Sequence, residues 1–92
     1  MVKSGDAERK KVPELVRFGE HVRRLRKDRG FSQEAFGDVC GIDRSYMGGI
    51  ERGEHNLALV NILKIVDALA MQPSEFFMGL DRPPKKTRSI QS

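Results

Sequence analysis

From Asp43 to Gly53 the chain reads DRSYMGGIERG. Met47 and Ile50 are three residues apart, so a helix would turn both to one side and leave Arg44, Ser45, Gly48, Gly49 and Arg52 as a strip on the other. The strip has a defined chemistry. A guanidinium such as that of Arg44 presents two parallel donors that match O6 and N7 of guanine, a pairing worth about 1–3 kcal/mol of discrimination. Ser45 can donate or accept, and Tyr46 can lay its ring along a thymine methyl or reach a phosphate. Adjacent glycines cost about 0.5–1 kcal/mol each relative to alanine in a helix interior. At Gly48 and Gly49 the return would be unusually close approach to base edges or to the phosphate backbone; close packing against another helix accounts for them equally well. Arg44, Ser45, Tyr46, Gly48 and Gly49 form the expected base-reading set.

Such a helix must be held from behind, and the preceding residues, FSQEAFGDVCGI, have the types required. Phe36, Cys40 and Ile42, with Met47 and Ile50, occupy slots where two crossing helices bury side chains against each other. Gly37 falls where the helices would come closest, and Gly41 where the turn needs a positive φ. Ser32 and Asp43 are natural N-caps for the two helices. The spacing predicts helices from about Ser32 to Val39 or Cys40 and from Asp43 to Arg52, a helix-turn-helix whose second member would enter a DNA groove. Gln33 would aim its amide and the free N–H groups of the helix start at a phosphate. Ser32 acts chiefly as a cap beside it, and Arg52, Asn56 and Arg17 complete the expected phosphate set.

Upstream, Leu15, Phe18, Val22 and Leu25 recur at three- and four-residue steps and predict an amphipathic helix from Pro13 to Arg29, closed by Gly30. The cations crowding its last two turns suit the helix dipole as well as a polyanion. Downstream, LALVNILKIVDALAM predicts a fourth helix whose core-facing stripe is Leu59, Ile62, Ile65, Val66 and Leu69. Pro73 at the first position and Glu75 at the third start a short fifth helix. Val60, Leu63, Phe76, Phe77 and Met78 exceed what a small core needs, and they are the expected interface of a homodimer.

The organisation is thus a flexible basic arm over 1–12, one helix-turn-helix DNA-binding and dimerisation domain over 13–80, and a basic disordered tail over 81–92. Residues 31–80 hold seven acids against three bases, so the excess positive charge behind the net +4 lies toward the two ends. The expected partner is double-stranded DNA. One cysteine excludes an internal disulfide, no apolar run approaches the roughly 18 residues of a membrane span, and the N-terminus lacks a signal-peptide core, so a cytoplasmic location is expected. His21, His55 and Cys40 lie on separate elements and build neither a catalytic constellation nor a metal site. No enzyme activity, metal, cofactor or small-molecule effector is expected.

The pieces RRLRKDRGFSQEAF, CGIDRSYMGGIERG and ALAMQPSEFF together resemble the Cro/phage-repressor type of DNA-binding domain over residues 15–78, the xenobiotic-response-element type of regulator. Within that type, DRSYMGGIERGEHNLALVNILKI is most similar to restriction–modification controller proteins. The resemblance implies an all-α, compact five-helix lambda-repressor-like domain with the helix-turn-helix at helices 2 and 3. It also implies a homodimeric transcriptional regulator that binds operator half-sites. An antitoxin or adaptor whose main role is to hold a protein partner is the alternative, favoured by the acidic middle of the chain and the thinned reading helix. In relatives an acid matching Glu51 pairs with an arginine matching Arg26, which implies a structural ion pair here. Three departures stand out: Ala58 where a Ser or Thr cap is common, so that Asn56 would have to cap helix 4; Ala70 where glycine is frequent; and Gly48 and Gly49 where side chains often reach DNA.

Overall fold

The computed structural model describes residues 11–81. Most of both expected arms, 1–10 and 82–92, lies outside the described residues. The elements are α1 (Pro13–Asp28), α2 (Gln33–Cys40), α3 (Arg44–Glu51), α4 (Leu59–Ala68) and α5 (Pro73–Met78). Expected boundaries shift by a residue or two because the caps take the terminal positions.

Local chemistry explains each end. Pro13 opens α1, where its missing N–H removes a donor that would have no partner, and Glu14 sits in the same first turn. Gly30, at φ 78°, turns the chain out of α1, and the Phe31 N–H closes on the Arg26 carbonyl. Ser32 caps α2 by accepting from the Ala35 N–H at 3.0 Å, and the Asp43 carboxylate caps α3 by accepting from the Ser45 N–H at 2.9 Å. Gly41 takes φ 74° between them, and a Cβ on Gly37 would lie 2.5 Å from the Ile42 carbonyl oxygen. The turn therefore needs both glycines.

The core is built from Phe18, Val22 and Leu25 of α1, Phe36 and Cys40 of α2, Met47 and Ile50 of α3, Ile65, Val66 and Leu69 near the end of α4, and Phe76 of α5. α3 packs against both α1 and α2, while α4 joins α2 to α5. The ring of Phe76 meets Phe18 edge-on with centroids 5.6 Å apart, which brings α5 back to α1. Ile42 is half-buried at the margin of this core.

The structure corrects three expectations about α4 and α5. Leu59 is exposed and Leu57, just before the helix, is buried in its place. The cap is Ala58, which puts Leu57 at N′ and Ile62 at N4, the two positions of a hydrophobic staple. Ala58 offers no side-chain acceptor, and Asn56 does not take over, being exposed two residues ahead of it. Phe76 is fully buried and belongs to the core, not to an interface. Ala70 does adopt a left-handed φ of 59°.

A close approach the sequence did not announce joins α1 to α3. A Cβ on Gly19 would strike the Ile50 carbonyl oxygen and lie 2.7 Å from that of Glu51. That contact sets how deeply α3 seats against α1.

Candidate nucleic-acid interface

Arg44 and Ser45 occupy the first turn of α3, immediately after its cap, and both are exposed. Met47 and Ile50 are buried behind them at 0% and 1% exposure. Two polar tips thus project from a helix start whose direction is fixed by the Asp43 cap and by the core. Tyr46, next along, is half-buried.

Gly48 and Gly49 are not part of this outward face. Both are buried, each beneath side chains of the chain itself. Above Gly48 stand the Gln33 amide and the Arg52 guanidinium; a Cβ there would lie 3.1 Å from a terminal nitrogen of Arg52 and 3.5 Å from Gln33 Oε1. Gly49 lies under the His55 ring, where a Cβ would strike Nε2 and lie 2.7 Å from Cδ2. The absent side chains make room for polar groups of this chain, which corrects the expectation that these positions read bases.

Beside these two polar tips runs a belt of donors. Ser32 is exposed but its hydroxyl oxygen already accepts the cap bond. Gln33 is half-buried and donates its amide to Glu51 Oε1 at 3.0 Å, so the amide faces inward. Arg52 is exposed and grips Glu54 through Nε at 2.9 Å and a terminal nitrogen at 3.3 Å. That hydrogen bond holds the Glu54 carboxyl below its usual range and raises the guanidinium. Lys11 donates to the Arg52 carbonyl at 2.8 Å, which adds a cation to the same edge. Asn56 is exposed, and Arg17 is half-buried with its Nε sequestered and without a hydrogen-bond partner among the described residues.

Behind the belt, Arg26 and Glu51 meet in a two-point pair: Nε donates to Oε2 at 2.6 Å and a terminal nitrogen donates to Oε1 at 3.0 Å. A further Arg26 nitrogen donates to the Phe31 carbonyl at 2.8 Å. Both side chains are nearly inaccessible, at 8% and 3%. The Glu51 carboxylate is thus turned inward and neutralised by Arg26, and it orients Gln33 as well.

The remaining titratable groups are structural. His21 is buried: Nε2 donates to the Phe76 carbonyl at 2.9 Å while Nδ1 accepts from Arg24 at 2.7 Å. Burial lowers its pKa, and the neighbouring Arg24 guanidinium lowers it further, so the ring is the neutral Nε2–H tautomer this bonding requires. Burial pushes the Cys40 thiol up to about 11, leaving it protonated and unreactive. Among the described residues no group of three or more His, Cys, Asp or Glu side chains could hold a metal ion.

A second surface lies on α4 and α5. Val60, Leu63, Phe77 and Met78 are exposed, and Leu59 joins them. A groove of about 540 Å³ opens among Val60, Leu63, Val66, Met71 and Pro73. Among the described residues no helix is long and apolar enough to cross a membrane.

Comparison with known proteins accords with this arrangement. A family model described as a helix-turn-helix domain matches residues 17–76. Control protein C.MunI from Mycoplasma sp is 38% identical over 68 residues, covering 73% of this chain and 92% of that protein. Control protein C.BamHI from Bacillus amyloliquefaciens is 42% identical over 59 residues, 63% of this chain and 73% of that one. The crystal structure of the restriction–modification controller protein C.AhdI from Aeromonas hydrophila matches with a TM-score of 0.69 and 50% identity, over 72% of this chain and 100% of that one. These are DNA-binding regulators and not an enzyme family. With α2 and α3 forming the helix-turn-helix and the Arg44 tip exposed on it, the chain belongs to the helix-turn-helix regulators of the restriction–modification controller family.

Proposed function

We propose that this regulator acts as a homodimer whose two α3 helices read the half-sites of one operator. Arg44 takes a guanine edge, Ser45 takes a neighbouring base, and Tyr46 contacts a thymine methyl or the adjoining phosphate. The α2 start at Ser32 and Gln33, together with Arg52, Asn56 and Arg17, follows the phosphate backbone and fixes the register. Gln33 leaves Glu51, and Arg52 leaves Glu54, as phosphate replaces the carboxylate acceptor. Arg26 and Glu51 take no part in reading; they hold α3 to α1. Val60, Leu63, Phe77 and Met78 form the two-fold contact.

The observation that carries this reading is the exposure of Arg44 and Ser45 at the capped start of a helix whose opposite face is fully buried. A protein-holding adaptor has no need of a guanidinium projected from a rigid turn. Footprinting on DNA upstream of the protein's own gene tests the proposal, with two protected half-sites expected at a spacing near whole turns of about 34–36 Å. On that site Arg44→Ala should lose about 1–3 kcal/mol of discrimination per half-site while weak non-specific binding persists. An unchanged ratio of specific to non-specific affinity would remove Arg44 from the reading role.

A further inference from the structure

The loop after α3 does something that neither base reading nor phosphate binding requires. His55 lies with its ring nearly parallel to that of Tyr46, centroids 4.1 Å apart and planes 15° apart. Its Nε2–Cδ2 edge rests on Gly49, where even a methyl group would collide with it. The imidazole therefore sits in a slot with helix backbone as floor and a tyrosine as wall. The loop is built to keep it there. The Glu54 N–H bonds back to the Gly49 carbonyl at 2.9 Å, Gly53 turns the chain at φ 78°, and Leu57 anchors the far end in the core. The glycine at position 49, costly in a helix interior, is accounted for by this ring.

We propose that His55 is a positioning residue: its ring fixes Tyr46 in the orientation in which that side chain meets the operator, and Gly49 is required so that it can. A free tyrosine on a helix start samples several rotamers, and ordering one of them on binding costs affinity. A ring clamped beforehand has already met that cost, and it meets only the base step for which its position is correct. Stacking of this kind contributes on the scale of an aromatic pair. The inference rests on the proposal that α3 reads DNA with Tyr46 among its contacts.

The chain offers a direct probe, since Tyr46 is its one tyrosine and there is no tryptophan. Tyrosine emission thus reports this residue alone. The experiment compares the full chain with His55→Ala, His55→Phe, Tyr46→Ala and the double variant His55→Ala/Tyr46→Ala, in emission anisotropy and in affinity for a duplex carrying the footprinted site against a scrambled duplex. His55→Ala should lower the anisotropy. It should also reduce the specific-to-scrambled ratio about twofold to tenfold, with scrambled binding unchanged. The loss should fall on the base pairs that Tyr46→Ala affects, His55→Phe should restore both readouts, and the double variant should lose no more than Tyr46→Ala. Equal losses on both duplexes, losses that add fully to those of Tyr46→Ala, or unaltered emission would each overturn the proposal, the first two by making His55 a phosphate contact. If Tyr46→Ala keeps full discrimination while Arg44→Ala loses it, the positioning role fails and reading by α3 stands. If neither variant loses discrimination, reading by α3 falls as well.

Discussion

At the scale of single residues, the glycines decide most. Gly19 and Gly49 both leave no room for a Cβ, but what fills the space differs. At Gly19 the obstacle is backbone, the carbonyl oxygens of Ile50 and Glu51. Backbone held by a helix cannot step aside, so Gly19→Ala must push α1 from α3. We expect a loss of about 1–3 kcal/mol, the usual range for overpacking, read as a lowered denaturant midpoint at unchanged slope. At Gly49 the obstacle is the end of a side chain, and a displaced His55 ring would relieve it at little cost in stability. Part of this was legible in the sequence. Gly37 and Gly41 could be placed because a helix-turn-helix has a known close approach and a known left-handed turn. Gly48 and Gly49 were legible only as missing side chains, since an absent side chain does not say what occupies its space. His55 was overlooked for the same reason: its partner in the slot is a vacancy in the sequence, and a lone histidine invites a search for metals or catalysis.

At the scale of elements, the helices are joined by a few polar struts, and the imperfect ends are where stability can be gained. Ala70 follows α4 with φ 59°, a conformation that strains a residue with a Cβ. Ala70→Gly should remove that strain, and after allowance for the freer unfolded chain should stabilise the domain by about 0.5–1 kcal/mol, seen as a rise of a few degrees in Tm. Amphipathic spacing located α1 and α4, and caps and turn residues located α2, α3 and α5, but neither located the start of α4. There Leu57 and Leu59 are equally apolar, and only the staple geometry decides which one is buried. His21 supplies the strut between α1 and α5, and its protonation works against the fold. Its folded-state pKa lies below the ordinary 6.5, because burial and Arg24 disfavour the imidazolium. The unfolded chain therefore takes up the proton first. The contribution is complete above pH 6.5 and is lost as pH falls below it, through the depressed folded value. Denaturation midpoints should decline from pH 7 toward pH 5, and in His21→Gln that part of the decline should vanish even though the variant is less stable at pH 7. A decline of the same size in His21→Gln would assign it to other groups.

At the scale of the whole molecule, the proposed dimeric reading has a physical motive: the acidic middle of the chain and the few exposed cations beside Arg44 would leave one copy a weak grip on DNA. Two copies joined rigidly bind the second half-site at a high effective concentration, so affinity rises without new contacts. The surface proposed to join them is the apolar strip of α4 and α5, where Val60 and Met78 are 64% and 68% exposed. Leu63, at 40%, borders the groove between those helices and lies outside the buried core cluster. Leu63→Glu is therefore a probe of that face, because the core cluster keeps its side chains while the proposed two-fold contact must take in a carboxylate. Losing the leucine contact and desolvating a charge should together weaken the dimer by about 2–3 kcal/mol, on the order of a hundredfold. Sedimentation should show monomers at concentrations where the unaltered chain is dimeric, with the helical circular dichroism unchanged. Operator affinity should fall with the dimer, and raising the protein concentration should recover both together. A Leu63→Glu chain that stays dimeric at low concentration would place the two-fold contact elsewhere. One that becomes monomeric yet protects both half-sites at the original concentration would show that the copies need not meet before they bind.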